Sequence, residues 1–284
     1  MMRDLLILIA IVAIAVGLMV PGVQKVSDSH SASVQALCNL KQMSLAVHMV
    51  NDIYRRLPPA TGTFGGMLGG NRSLGVHLLP YIEQSALYSQ LQNTETASAT
   101  IAPYTAPLDF TTTDFVAVQN YAANVRIFTD LGVNTAFNAN VAGITPSGHE
   151  GWNTSKIPDT FKDGTSTTIM FATRYANSGA AAGGGSVNCS AYDAWIGKNN
   201  WAFFGVSTLA SAPTANSSGG WQLAPKLTQI NCQFGAVAHS FGNRGLQVSC
   251  ADASIRSISP SISTFTWNAA MQPNDGNKLG SDWE

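Results

Sequence analysis

Charge is scarce in this chain: Asp, Glu, Lys and Arg make up 11% of its 284 residues, and the net charge is −1. About a quarter is usual. So few cations cannot assemble the basic face that nucleic acid requires, so no nucleic-acid partner is expected. Metal chemistry is equally thin. Cys38, Cys189, Cys232 and Cys250 have no Cys-x-x-Cys spacing, which argues against zinc. His30, His48, His77, His149 and His239 are scattered without ligand spacing. Asp159, Asp163, Asp252, Asp275 and Asp282 fall in Gly/Asn-rich turns, where Asp is ordinary, and no EF-hand-type calcium loop surrounds them. No cofactor is expected, with calcium in the globular part as a minor alternative. The run TGTFGGMLGGNRSLG lacks a following Gly-Lys-Ser/Thr and reads as a linker, not a phosphate loop. Long apolar runs are also missing, with one exception at the start.

That exception is Leu5 to Val20, sixteen residues headed by Asp4 and closed by Pro21. A bilayer core about 30 Å thick takes roughly 20 apolar residues as a helix, and this run supplies most of one. A signal peptide fits less well, because the small-x-small triplet Ala13-Ile14-Ala15 lies in the middle of the run. A buried core helix fits poorly as well, since too little chain precedes the run to enclose it. Arg3 and Lys25 flank the run almost symmetrically, so charge does not set its orientation.

Pro21 and Gly22 predict a break or bend. Beyond them, Val34, Leu37, Leu40, Met43, Val47, Val50 and Tyr54 recur at three- and four-residue steps, the stripe of an amphipathic helix. It ends by Leu57, because Pro58 and Pro59 cannot continue it. The plan is a transmembrane half over 1–24, an amphipathic continuation over 25–57 and a β-rich head over 58–284.

Within the head, VHLLPYIEQSALYSQL predicts a short helix interrupted by Pro80, TTDFVAVQNYAAN and TSTTIMFATRY predict strands, and LQVSCADASIRSIS alternates as a hairpin. Asp163-Gly164 is a tight turn leading into the second strand. The fold class is therefore α+β: a long N-terminal helix, membrane-spanning in its first half, packed on an antiparallel sheet. Outside the cytoplasm the cysteines can form disulfides. Cys232 with Cys250 is the favoured pair, Cys232 with Cys189 the alternative, and Cys38 reads equally as a buried thiol.

The segment from Asp4 to Gln24 resembles the N-terminal helix of type IV pilins and type II secretion pseudopilins, with an acidic residue before the apolar run and a proline closing it. ALCNLKQMSLAVHMVNDIYRRLPPA (Ala36 to Ala60), LLPYIEQSALY, NYAAN, IPDTFKDGTSTTIMFAT and FGAVAHSFGNRGLQVSCADASIRSIS resemble, in the same order, the prepilin-like family of planctomycete-type bacteria, whose globular part is a domain of unknown function. There are departures. The chain opens Met-Met-Arg-Asp without the family's basic leader, so either the true start lies upstream or the N-terminus is kept. Asp4 stands where Glu is usual. His239 and Asp252 are further apart than the family's His and Asp-Gly, and Ala253 replaces the Gly.

The resemblance implies a pilin-like fold and a structural subunit, not an enzyme. It implies a single-pass anchor in the cytoplasmic membrane, an extracytoplasmic head and assembly through the helix into a filament or secretion pseudopilus. Its partners are the lipid bilayer and copies of itself or related pilin-like subunits. Asp4 then sets axial register by pairing with a neighbouring subunit's amine, or else sits at the headgroups, favoured by the helix dipole. Ala10, Ala13 and Gly17 form a small-residue strip for close helix packing. Asp163, Gly164, His239 and Asp252 are family-motif residues of unknown role. Two other readings stand beside this one. One is a solitary anchored binding module presenting Trp195, Trp201 and Trp221 to a carbohydrate or protein. The remote one is a serine hydrolase using Ser240, because AHSFG resembles a nucleophile elbow.

Overall fold

The computed structural model describes residues 2–67, 72–94, 99–111, 118–128, 155–176, 203–205, 212–217, 220–230 and 237–283, and within the first helix the side chains of 2, 3, 7 and 31–54. Helix α1 runs Met2–Tyr54. It is not broken at Pro21 and Gly22. A proline removes one backbone donor and strains one carbonyl, and the turns on either side hold the helix across that gap. The helix stops at Tyr54, three residues earlier than the prolines require, because Arg55 turns to φ 55° while its N–H still bonds Asn51 O at 2.8 Å. That left-handed residue is an ordinary helix terminator, here without glycine.

Ala36, Leu40, Met43, Ala46, Val47 and Val50 on α1 are fully buried, whereas Val34 is 45% exposed. The apolar stripe is therefore real, but it enters the core one turn later than the sequence periodicity starts. Burial of Leu40, Met43, Val47 and Val50 contributes about 1.5–3 kcal/mol apiece as an upper bound, which makes this stripe the main adhesive between helix and head.

The stripe lies on a five-stranded sheet. Strands β3 (Tyr121–Asn124), β4 (Ile169–Thr173), β8 (Leu246–Cys250) and β9 (Ile255–Ile258) pair antiparallel in that order. A short β5 (Phe203–Phe204) adds to β3 in parallel, so the sheet is antiparallel except at that edge. Alternation sends Tyr121 and Ala123 to the α1 side and Ala122 to the other. In β4 the register slips between Ile169 and Phe171, and this bulge turns both Met170 and Phe171 toward α1. The opposite face carries Ala122, Leu246 and Val248, covered by the helix Thr264–Ala270, which brings Trp267, and by the parallel pair β6 (Gly220–Gln222), which brings Trp221, and β7 (Val237–His239). The architecture is thus mixed α+β, a sheet between the N-terminal helix and a tryptophan-containing second core.

The glycine-rich linker is in part a folded element. β1 (Thr61–Gly62) pairs antiparallel with β2 (Arg72–Ser73), and Phe64 and Met67 between them are buried. Helix α2 (Leu74–Leu78) then gives way to a 3-10 turn over Leu79–Tyr81 and to α3 (Ser85–Leu91), the interruption that Pro80 predicts. Among the described residues no helix is long and apolar enough to cross a membrane. Of the side chains from Leu5 to Val20, only Ile7 falls within that description, and it is 53% exposed.

Candidate functional site: the motif residues that seat the helix and the C-terminal segment

Four polar residues beside the stripe on α1 find backbone groups of the head. Asn39 Nδ2 donates to Ala102 O (3.1 Å) and Thr105 O (2.9 Å). Asn51 makes a two-way bridge, Nδ2 to Ile157 O and Ile157 N–H to Oδ1, both 3.0 Å. Lys41 Nζ reaches Ala253 O at 2.7 Å and His48 Nε2 donates to Ala251 O at 2.8 Å. The last two residues place the turn between β8 and β9 under the helix. Burial makes such a carbonyl costly to leave unpaired, so they fix the axial position of α1 on the sheet.

Asp252 belongs to that turn. Its Oδ1 accepts the Ser254 N–H at 2.8 Å, and its own N–H bonds Thr165 O at 3.0 Å. Ala253 adopts φ 62°, the conformation for which the family's glycine is suited. The motif is therefore conformational: Asp folds the turn, and the following residue presents its carbonyl to Lys41. Asp163 does comparable work at the same end of β4, in the loop that leads into that strand. Its carboxylate accepts the Asp275 N–H at 2.6 Å and the Gly276 N–H at 2.9 Å, holding the C-terminal segment against the loop before β4. Gly164 has φ 112°, and a Cβ there would lie 2.9 Å from Thr167 Oγ1.

The two asparagines of NYAAN bracket β3 as buried clamps. Asn120 donates to Asp109 Oδ2 and to Arg174 O and accepts from Ala106 N–H. Asn124 donates to Ile169 O (2.7 Å) and Met271 O (2.9 Å) and accepts from Arg126 N–H. Burial pushes the Asp109 carboxyl up, against hydrogen bonds from Thr111, Ala176 and Asn120 that pull it down. His239 joins the same neighbourhood. Its Nδ1 accepts the Tyr175 N–H at 3.1 Å, which puts the proton of the neutral ring on Nε2, and its ring centroid lies 5.8 Å from that of Tyr175. Burial, and then the Asp109 charge, raise the Tyr175 phenol.

The sequence-predicted residues thus separate. His239 and Asp252 sit at different ends of the sheet's pairing and share no site. Ser240 follows strand β7 but leads into the turn before β8, not into a helix, and its Oγ donates to Gly242 O and accepts the Ala224 N–H. The strand-turn-helix context of a nucleophile elbow is absent there. Trp221 is fully buried, its ring 6.3 Å from that of Trp267, so it belongs to the core and not to an exposed binding face. Trp195 and Trp201 lie outside the described residues. Cys250 is a buried free thiol, not half of a disulfide, and burial pushes it up to about 11. Its expected partner Cys232, like Cys189, lies outside the described residues, and Cys38 is an exposed free thiol. The side chains of Asp4, Ala10, Ala13, Gly17, Pro21 and Gly22 also lie outside them. Among the described residues no group of three His, Cys, Asp or Glu side chains could hold a metal ion. What sequence reasoning missed was the docking amides Asn39 and Asn51. The signal available was a short amide flanking an apolar stripe, a place where a charged residue would serve a solvated face better.

A family model described as a protein of unknown function (DUF1559) matches residues 34–264. That is most of the chain, and the chain belongs to this family. No curated protein and no solved structure matches it.

Proposed function

We propose that this member of the DUF1559 family is a pilin- or pseudopilin-like structural subunit, anchored in the cytoplasmic membrane by the first half of α1, with its head outside, and assembling through that helix. The observation that carries the proposal is the reach of α1. It is helical for 53 residues, yet the earliest hydrogen bond between helix and head among the described residues is the one from Gln247 Nε2 to Ser33 Oγ. About thirty helical residues, roughly 45 Å at 1.5 Å per residue, precede that contact. They contain the apolar run from Leu5 to Val20.

In a bundle of such helices an acidic side chain in a low-dielectric setting needs a cationic partner. Asp4 pairs with the amine of a neighbouring subunit and sets the axial step. Ala10, Ala13 and Gly17 let the helices approach closely. The test is crosslinking in membranes. Gly17→Leu and Asp4→Ala lower crosslinked oligomers while leaving the amount of anchored monomer unchanged, and Asp4→Glu is tolerated. If the wild type yields only monomer, or both disruptive variants crosslink as the wild type does, the reading gives way to a solitary anchored surface protein.

A further inference from the structure

We infer that the outward face of the second half of α1 is an interface between copies of this chain, on which the α1 of a parallel copy packs about one helical turn out of step. The inference rests on the proposed assembly through α1 and extends it from the apolar run to the half of the helix that carries the head. Leu45, Met49 and Ile53 are 46%, 50% and 61% exposed. Spaced four residues apart, they stand one above another on the side of the helix turned away from the sheet. Val34 and Cys38, both exposed, continue the same sector toward the apolar run. Of the ten exposed large apolar side chains among the described residues, seven lie on α1, so exposure of this kind is concentrated on one element and not scattered.

A helix seated on a core by one face ordinarily turns charge toward solvent on the other. Here residues 42–51 hold no Asp, Glu, Lys or Arg, and Lys41 before them gives its amine to Ala253 O. The second half of α1 is thus apolar on two sides, and the head covers one of them. The charges that close the stripe identify what covers the other. Asp52, between Met49 and Ile53, is exposed and has no ion-pair partner among the described residues. Arg55 leaves the helix at φ 55°, which takes Arg56 off the i,i+4 position and over the Phe64 ring, 5.2 Å from its centroid. Both arginines are exposed, and neither meets a carboxylate among the described residues.

A parallel copy displaced by one turn, roughly 5.4 Å, sets Leu45 beside Met49, Met49 beside Ile53, and Asp52 level with Arg55 and Arg56. One shift therefore matches the apolar groups and the charges together, using two copies of the same surface. Anchorage in one membrane makes neighbouring copies parallel, and the unbroken helix carries that orientation to the head.

Cys38 reports the contact, because each chain has one Cys38 and a link between two of them joins two copies. Membranes holding the full chain are treated with a short bismaleimide, and linked peptides are identified by mass spectrometry. A Cys38–Cys38 pair is expected. Leu45→Gln with Met49→Gln, at two exposed positions, lowers its yield roughly fivefold or more while the melting temperature in detergent is unchanged. Asp52→Arg lowers it as well, and Asp52→Arg combined with Arg55→Asp and Arg56→Asp restores it, a rescue that a structural role within one chain would not give. Total oligomer is measured on the same membranes with an amine-reactive crosslinker. If oligomers form without the Cys38 pair, if the pair survives the Leu45 and Met49 changes, or if charge exchange fails to restore it, the inference is overturned and assembly through the apolar run stands. If no oligomer of any kind forms, both fail.

Discussion

At the scale of single residues, three positions carry conformational or electrostatic costs that can be measured. Ala253 holds φ 62° at the β8–β9 turn, where an L side chain costs about 1 kcal/mol. Ala253→Gly therefore raises stability by up to about 1 kcal/mol, read as a higher urea midpoint at unchanged m-value, with the gain in strain relief set against the looser unfolded chain. His77 is held down to about 4 from 6.5, first by burial. Because its folded pKa is depressed, the unfolded chain takes up the proton first as pH falls. Stability is intact above about pH 6.5 and declines between there and pH 4 by roughly 3 kcal/mol. In His77→Gln that part of the pH profile flattens, and an unchanged slope in urea titrations at pH 4.5 and 7 would contradict the assignment. Cys250 is buried and its thiol is pushed up to about 11, whereas Cys38 is exposed. At pH 8 iodoacetamide labels Cys38 in the native protein and reaches Cys250 only after denaturation, as peptide mass spectrometry will show.

At the scale of elements, the structure turns polar side chains into fasteners between segments far apart in sequence. Asn51 and Ile157 exchange two hydrogen bonds at 3.0 Å, so Asn51→Ala removes both and leaves two backbone groups in a partly buried place. The loss is about 1–3 kcal/mol, larger than an exposed helix position would show. Asp163 fastens the C-terminal segment through two backbone N–H groups. Asp163→Asn replaces one acceptor oxygen by a donor that faces an N–H. Limited proteolysis then cuts within 273–283 faster than in the wild type, while the β8–β9 hairpin stays protected. The hairpin itself was legible from alternation and a turn. The docking of α1 on it was not, because Lys41 and His48 look like members of a solvated face until the turn's carbonyls are placed beneath them.

At the scale of the whole molecule, α1 and the head divide the work that the proposed function requires. Protease added to spheroplasts digests the head and leaves a membrane-associated fragment from the start of α1, if the anchor and orientation are as proposed. A protected head, or full-length protein in the soluble fraction, would count against both. The sequence by itself determined what depends on local pattern: the apolar run, the stripe on α1, the Pro80 interruption, the β8–β9 hairpin and the α+β class all follow from periodicity and from residues with restricted backbones. Only the tertiary structure decided what depends on which distant groups meet. It put Trp221 in the second core, left Cys250 a free thiol, folded part of the glycine-rich run into a hairpin, and carried α1 unbroken past Pro21. Those outcomes rest on burial and on pairing across tens to hundreds of residues, and no spacing along the chain encodes which carbonyl a given amide will find.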